Sequence, residues 1–280
     1  MLSRLSIKQK LILIMLIPLI VVILLAAKLA VDSFSSSKNL QSLDKVVVLS
    51  IKIGNLVHET QKERGMTAGF LGSKGEKFST EVVAQRLLVD EKLKEVNGFL
   101  NTFDKNVYSD EFLENLNNGL KKLQDLPNVR TGVSAFSINA AVAIDYYTDT
   151  NKLLLNVIAT ITKLSNSSAK VSQELVSYMN FLLSKERAGI ERAVGTKKKT
   201  KNSFGEGMKA KFYTLVAEQN AYMDAFLKVS SLTMSDFYKK TFQADSITEV
   251  EKMRKIALYS DLDSNFNIDA NVWFKQITEK

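Results

Sequence analysis

The sequence contains no cysteine, one histidine, two prolines and 12 glycines among its 280 residues. Without cysteine the chain forms no disulfide and offers no thiolate for catalysis or for a zinc or iron–sulfur site. A single histidine also excludes a histidine-rich metal site, so we expect neither a metal nor a cofactor. Because β-rich folds need many turns, a chain this poor in helix breakers is predicted to be all-α.

The charge of the chain is concentrated at its start. The formal net charge is +8, and Arg4, Lys8, Lys10 and Lys28 all lie within the first 31 residues. The remainder is only mildly basic, which disfavours a nucleic-acid partner, and we expect none. The sequence is 45% hydrophobic and 24% charged, which is typical of a folded protein and excludes global disorder.

The N-terminal region contains a long apolar run. Residues 11–27 carry no charge, and extending the run past Lys28 gives about 21 residues, enough to cross a hydrocarbon core of about 30 Å. We therefore predict a transmembrane helix at residues 10–31. The cations before it place residues 1–9 in the cytoplasm, and residues 32–280 in the periplasm or outside the cell. A cleaved signal peptide is the alternative.

Beyond the apolar run, the pattern predicts one domain, an elongated antiparallel helical bundle. A loop is expected at residues 196–207, and Ser246 and Glu249 are expected to form a capping box. Ser109 is expected to begin a helix. The predicted helices cover residues 40–71, 80–103, 109–125, 127–164, 169–194, 206–230, 235–241, 247–259 and 269–279.

Two segments of the chain resemble each other. Residues 61–74 read QKERGMTAGFLGSK, and residues 184–197 read SKERAGIERAVGTK. Both contain Lys-Glu-Arg, with a glycine eight residues after the arginine. A helix C-terminus explains the glycine and the following lysine. It does not explain the matched glutamate and arginine.

Helical phase places several of these charges among apolar residues. At 100° per residue, Glu63, Arg64 and Glu186 fall within apolar faces, whereas Arg187 and Arg192 fall at opposite edges of the second face. Buried charges are costly unless they are paired. Two interpretations stay open: a structural glutamate–arginine pair between helices, or an anion site in which two arginine forks hold a planar oxyanion.

The anion-site interpretation assigns Arg64 and Arg187 as binding residues, with Glu63, Glu186 and Thr67 supporting them. We expect the two arginines to lie close together, because each precedes a helix-ending glycine by about two turns. His58 is predicted to be exposed and without a carboxylate partner, so no catalytic residue is assigned and no enzyme is expected.

Several segments resemble a known family. QKERGMTAGFLGSKG, LPNVRTGVSAF, YYTDTNKLLLNVI and KERAGIERAVG are similar to the nitrate- and nitrite-sensing (NIT) domain of bacterial sensor proteins, and the opening LSIKQKLILIMLIPLIVVILL is similar to the start of a methyl-accepting chemotaxis receptor. The resemblance covers essentially the whole chain. It implies a helical sensor domain that binds nitrate or nitrite through arginines of two helices. By motif it assigns Arg64 and Arg187 first, and Arg192 next.

Together these observations predict the ligand-sensing part of a transmembrane chemotaxis or signal-transduction receptor. We expect it in the inner membrane as a homodimer, with a small oxyanion such as nitrate or nitrite as its ligand. A membrane-anchored structural or interaction bundle, and a sensor acting through a partner binding protein, are the alternatives. Because no second apolar span precedes Lys280, we expect a receptor fragment or a shortened sensor.

Overall fold

The computed structural model describes residues 6–164, 168–196, 207–259 and 268–280. Within these ranges the chain forms ten α-helices, one 3-10 turn and no strand, which confirms the predicted all-α class for the described part. The helices are α1 (Ile7–Gly72), α2 (Glu81–Leu100), α3 (Asp110–Leu123), α4 (Leu126–Ser134), α5 (Ala140–Leu164), α6 (Ala169–Thr196), α7 (Met208–Val229), α8 (Leu232–Thr241), α9 (Asp245–Tyr259) and α10 (Ala270–Glu279).

The chain divides into two units, Met1–Lys45 and Val46–Lys280. Over the described residues, no helix is both long enough and apolar enough to cross a bilayer. The transmembrane helix predicted at residues 10–31 is therefore not found. The predicted domain boundary at residue 32 stays a prediction.

In the second unit, α1 buries one face whose residues recur every three or four positions. The same face continues into polar residues: Glu63, Arg64 and Thr67 are 0%, 2% and 0% exposed. The predicted burial of these charges is confirmed. The apolar part of the face consists of Val46, Leu49, Ile53, Leu56 and Val57.

Helix α5 runs antiparallel to α1. The hydroxyl of Thr60 donates to Oδ1 of Asn151 at 2.5 Å. One turn earlier on α5, the hydroxyl of Tyr147 donates to Glu63, which lies further along α1, at 2.7 Å. The central polar residues of α1 therefore face α5 along more than one turn.

Helix α6 runs parallel to α1. Near its start, Tyr178 packs against Gly54, where a Cβ would lie only 2.2 Å from the tyrosine oxygen. Further along both helices, Glu186 pairs with Arg64. The parallel arrangement brings the two Lys-Glu-Arg segments to similar heights in the bundle.

Helices α6, α7, α9 and α10 share a second apolar core. Helix α7 lies antiparallel to α6, because Ser177 donates to the backbone oxygen of Phe226 and Ser184 to that of Gln219. Helices α9 and α10 cover the far end of this pair. The buried cluster consists of Val194, Phe212, Leu215, Val250, Met253, Ala257, Ile268, Trp273 and Ile277.

The single helix predicted for residues 127–164 is two helices in the structure. Phe136 takes a φ of +53°, which does not continue a right-handed helix. Its ring stacks on Phe70 at a centroid distance of 5.0 Å, a contact with α1 that stabilises the turn. Asn139 then caps α5 by accepting from the backbone N–H of Ala141 at 2.8 Å.

The two other predicted helix starts have different outcomes. Ser109 caps α3 by accepting from the backbone N–H of Phe112, as expected. The capping box at Ser246 is wrong, because α9 already begins at Asp245 and the serine lies inside the helix. The predicted loop at residues 196–207 and the residues 165–168 between two predicted helices lie mostly outside the described residues.

Candidate functional site

A buried ion pair joins α1 to α6. Arg64 and Glu186 are 2% and 3% exposed, and the arginine Nη1 lies 2.5 Å from Oε1 of the carboxylate. Nη2 lies 3.4 Å from Oε2, so the two planar groups face each other as a fork. In such a dry position, the loss of either partner would leave the other charge uncompensated.

Neutral polar side chains complete the surroundings of this pair. Gln61 donates to Oε2 of Glu186 at 2.6 Å, and Asn151 donates to the same oxygen at 3.4 Å. Arg64 in turn donates to the hydroxyl of Thr148 at 3.1 Å. These residues come from α1 and α5, so three helices enclose one polar layer, which we call the arginine layer.

Arg192 brings a second guanidinium to the arginine layer. Its Nη2 would lie 3.3 Å from a Cβ placed on Gly65, the residue that follows Arg64. Burial and then repulsion from Arg64 lower the pKa of Arg192 to about 10, and attraction by Glu186 opposes this shift. Arg192 is therefore still a cation at neutral pH. Its guanidinium also lies over the ring of Phe274, 5.2 Å from the centroid.

Each of the two arginines rests on a glycine of the other helix. A Cβ on Gly189 would lie 2.8 Å from Nη2 of Arg64, just as one on Gly65 would crowd Arg192. Neither glycine has a positive φ, so close approach and not backbone conformation requires the absence of a side chain. Helices α1 and α6 thus each contribute one arginine and one glycine to the crossing.

The arginine layer contains two guanidinium groups. Arg64 and Arg192 are two cations, and Glu186 is the one carboxylate that accepts from Arg64 in the described structure. Guanidinium forks match the geometry of planar oxyanions and bind them through paired N–H donors. A small anion between the two arginines would also relieve their mutual repulsion. The chemistry of the layer therefore suits an anion.

Arg187 lies on the α7 side of α6. Its Nε contacts the carboxylate of Glu218, and its guanidinium lies 5.8 Å from the ring centroid of Tyr222. The structure therefore brings Arg64 together with Arg192 and not with Arg187. Helical geometry explains this, because Arg192 is three residues from Gly189, or about 60° around the helix, whereas Arg187 is about 160° away.

A second buried pair fixes α1 to α4. Glu63 is fully buried and accepts two hydrogen bonds from Arg130, each of 2.8 Å, and one from Tyr147. Burial and then the charge of Glu63 raise the pKa of Tyr147, which stays a donor, although the hydroxyl of Thr67 opposes this shift. Arg130 also contacts Asp90 at 2.6 Å. Glu63 therefore supports the orientation of α1 from outside the arginine layer, and the buried Thr67 lies near Tyr147.

A third buried pair fixes α6 to α9. Arg254 donates to Glu191 through Nε at 2.8 Å and Nη2 at 2.6 Å, and the two side chains are 2% and 0% exposed. Gln219 of α7 bridges them, because it donates to Glu191 at 2.6 Å and accepts from Arg254 at 2.7 Å. This pair holds α6 in its orientation, as the pair of Glu63 and Arg130 holds α1.

The repeat in the structure is the dipeptide Glu-Arg at residues 63–64 and 191–192. In both copies the glutamate forms an ion pair with an arginine of a later helix, and the arginine lies in the arginine layer. Matching the Lys-Glu-Arg triplets equates Arg64 with Arg187 and hides this. The second Glu-Arg in SKERAGIERAVGTK was the available signal. The residues that sequence reasoning missed are Arg130, Glu191, Gln219 and Arg254.

His58 is 47% exposed at its side chain, which confirms the predicted exposure, but the predicted lack of a carboxylate partner is wrong. Its Nδ1 lies 2.8 Å from Nζ of Lys185, and its Nε2 lies 3.9 Å from Glu59. Burial and then the charge of Lys185 lower the pKa of His58, and burial also lowers the pKa of Lys185. A neutral imidazole that accepts from a lysine beside the arginine layer is the result.

Known proteins share this arrangement of helices. The chain is 24% identical over 255 residues to the nitrate regulatory protein of Klebsiella oxytoca, a match that covers 89% of this chain and 63% of that protein. The solved structure of the NasR transcription antiterminator is similar with a TM-score of 0.80 and 24% identity, covering 89% of this chain and 68% of that one. The chain thus spans less than two thirds of the length of the curated relative.

These comparisons correct several predictions. The prediction of a transmembrane chemotaxis receptor was wrong, because the similar proteins are a nitrate regulatory protein and a transcription antiterminator. The predicted inner-membrane localisation, with a periplasmic or extracellular sensor, was wrong for the same reason. Excluding nucleic acid was also wrong, since a protein of this fold acts in transcription. The predicted homodimer relied on the membrane helix and loses that basis.

The family of the chain follows from its sequence match. A family model for nitrate and nitrite sensing matches residues 55–280. The matched region contains both arginines of the arginine layer, both glycines that they rest on and the helices α2 to α10. The match covers well over half of the chain, and the fold agrees with it. The chain belongs to the nitrate- and nitrite-sensing (NIT) family.

Proposed function

We propose that this chain is the sensory part of a nitrate-responsive regulator and binds nitrate or nitrite between α1 and α6 without catalysing a reaction. One observation carries the proposal: the guanidinium groups of Arg64 and Arg192 lie near each other beside the buried carboxylate of Glu186. Nitrate and nitrite are small, planar and singly charged, so they fit guanidinium forks. The family and the name of the Klebsiella oxytoca relative support this choice of ligand.

A bound anion would act on the contact between α1 and α6. It would accept hydrogen bonds from both arginines and so add a second link between the two helices beside the Arg64–Glu186 pair. The relatives are a nitrate regulatory protein and a transcription antiterminator. We propose that the protein containing this chain likewise uses the α1–α6 contact to control transcription.

Replacing Arg192 by alanine tests the anion site. We expect the affinity for nitrate to fall about 10- to 100-fold, because charge-assisted hydrogen bonds of about 1.5–3 kcal/mol are lost. The fold should be retained, because the change removes a repulsion with Arg64. Isothermal titration calorimetry with nitrate on the full chain measures the affinity, and circular dichroism checks the fold.

Arg187→Ala is the matched control for this experiment. It removes an arginine from the same helix, but one that pairs with Glu218 on the α7 side. Nitrate affinity should change by less than about 3-fold, in keeping with the small effects of partly exposed ion pairs. Equal losses in the two variants, or no loss in Arg192→Ala, would exclude Arg192 from the site.

Gly189→Ala is expected to weaken nitrate binding without removing any charge. The new Cβ would lie 2.8 Å from Nη2 of Arg64, so the guanidinium must move from its place over α6. Helix propensity changes in the opposite direction, since alanine is favoured over glycine by about 1 kcal/mol inside a helix. This variant should therefore lose nitrate affinity without losing thermal stability, and both quantities are to be measured on it.

Gly98→Ala provides the comparison for the glycine prediction. Gly98 lies inside α2, and a Cβ there would meet nothing within 4 Å. This variant should gain stability by up to about 1 kcal/mol and bind nitrate as the unmodified chain does. If Gly189→Ala binds nitrate equally well, Arg64 does not need its position against Gly189 to hold the ligand.

A further inference from the structure

We infer that Thr278 and Phe274 of α10 position Arg192 for the anion, and that ligand binding therefore tightens the docking of α10 on α6. The inference rests on the proposed anion-binding function. Arg192 lies at the crossing of α1 and α6 and also contacts Thr278, which is 86 positions further along the chain. Its side chain therefore connects the proposed ligand to the helix α10.

The two terminal nitrogens of Arg192 have different neighbours. Nη2 lies towards α1, 3.3 Å from the position of a Cβ on Gly65. Nη1 donates to the hydroxyl of Thr278 on α10 at 3.1 Å. Because a guanidinium group is planar and rigid, a contact that fixes Nη1 also fixes the direction of Nη2. Thr278 thus contributes to the orientation of the N–H donors that the arginine offers to an anion.

One turn of α10 provides two kinds of contact for this cation. The hydroxyl of Thr278 donates to the backbone oxygen of Phe274 at 2.6 Å, so its proton is engaged and its lone pairs are left to accept from Arg192. The ring of Phe274 lies under the guanidinium, 5.2 Å from its carbon atom to the ring centroid, which favours the cation. Both residues are therefore positioning residues for Arg192.

The docking of α10 on α6 depends on a neighbouring face of the helix. Trp273 and Ile277 are 2% and 6% exposed and belong to the apolar core that includes Val194 of α6. The indole N–H of Trp273 donates to the backbone oxygen of Arg192 at 3.2 Å. These contacts hold α10 without the hydroxyl of Thr278. A change at Thr278 should therefore alter the hold on Arg192 and leave the helix in place.

Helix α10 also contacts the segment that follows α1. The ring of Phe274 lies 5.7 Å from that of Phe78, measured between centroids. Phe78 in turn covers Gly69 of α1, where a Cβ would lie 2.5 Å from the ring. Phe274 is thus held from the sides of both helices that form the proposed site. Since coupling between two sites is reciprocal, what α10 adds to ligand affinity the ligand adds to the docking of α10.

The first experiment replaces Thr278 by valine, which keeps the shape and removes the acceptor for Arg192. Isothermal titration calorimetry on the full chain should show a nitrate affinity about 3- to 10-fold weaker, the effect of one hydrogen bond. Thr278→Ser keeps the hydroxyl and should keep the affinity. The matched control is Thr131→Val on α4, an exposed threonine whose hydroxyl likewise donates to the carbonyl four residues earlier. This control should bind nitrate as the unmodified chain does.

The second experiment measures the docking of α10 directly by hydrogen exchange and mass spectrometry. Saturating nitrate should slow amide exchange in residues 270–280 of the unmodified chain by at least about 3-fold, compared with chloride at the same ionic strength. Thr278→Val should show less slowing. Helix α8, which packs on α7 through Tyr238 and Phe226, is the internal control and should exchange equally with either salt.

The outcomes separate this inference from the proposed function. Suppose that the unmodified chain binds nitrate. Unchanged exchange in α10, unchanged affinity in Thr278→Val, or an equal loss in Thr278→Ser would each overturn the inference, while the anion site would stand. If the unmodified chain binds no nitrate, the proposed function fails and the inference fails with it. Slower exchange in α10 together with a loss of affinity confined to Thr278→Val supports both.

Discussion

Alanine in place of Arg254 is expected to lower the free energy of unfolding by about 3–5 kcal/mol. The change leaves Glu191, which is fully buried, without its cation. Gln219 alone cannot replace the two hydrogen bonds that Arg254 gives to this carboxylate. Urea denaturation followed by circular dichroism measures the loss.

Two further variants show that the loss comes from an uncompensated charge. The double replacement Arg254→Met with Glu191→Met should recover most of the stability, because apolar residues of similar volume often substitute for a buried ion pair. Lys252→Ala, in the same helix, breaks an ion pair with Glu249 whose side chains are 62% and 48% exposed. That change should cost less than about 0.5 kcal/mol. A similar cost for Lys252→Ala and Arg254→Ala would contradict the prediction.

Arg64→Ala is expected to affect both stability and ligand binding. Glu186, which is 3% exposed, loses its cation, so the free energy of unfolding should fall by about 3–5 kcal/mol. Nitrate affinity should fall about 10- to 100-fold, as charge-assisted hydrogen bonds to the ligand are lost. Thermal unfolding with and without nitrate measures both effects in one series, because a ligand at 100 times its Kd stabilises the folded state by about 2.7 kcal/mol.

The double variant Arg64→Met with Glu186→Leu separates the two roles of Arg64. It removes the buried charges as a pair and should regain most of the stability lost in Arg64→Ala. It should not regain nitrate binding, since only Arg192 is left in the arginine layer. Recovery of nitrate stabilisation in this double variant would show that the ligand binds elsewhere on the chain.

Helical phase was sufficient to predict the burial of three charged residues. Glu63, Arg64 and Glu186 were placed in apolar faces at 100° per residue, and all three are at most 3% exposed. This inference needs only the residues of one helix, because burial repeats with the helical period. The all-α class followed for a similar reason, since so few turn-forming residues interrupt the pattern.

The partners of these charges could not be predicted in the same way. Glu63 pairs with Arg130 and Glu191 with Arg254, residues that are 67 and 63 positions apart in the chain. Periodicity within a helix carries no information on which distant helix lies against it. Arg187 was chosen by aligning the Lys-Glu-Arg triplets of the two segments. The position of Gly189 against Arg64 instead decides which side chains of α6 face α1. The turn at Phe136 likewise depends on a contact with another helix.

The Glu-Arg dipeptides make α1 and α6 resist rotation about their own axes. Rotating either helix about its axis would pull a carboxylate away from the arginine that holds it through two hydrogen bonds, Arg130 for α1 and Arg254 for α6. Where the helices cross, Arg64 holds α1 to α6 through Glu186 and lies against Gly189. A ligand bound between Arg64 and Arg192 would therefore act on the distance between the two helices before it changed their orientation.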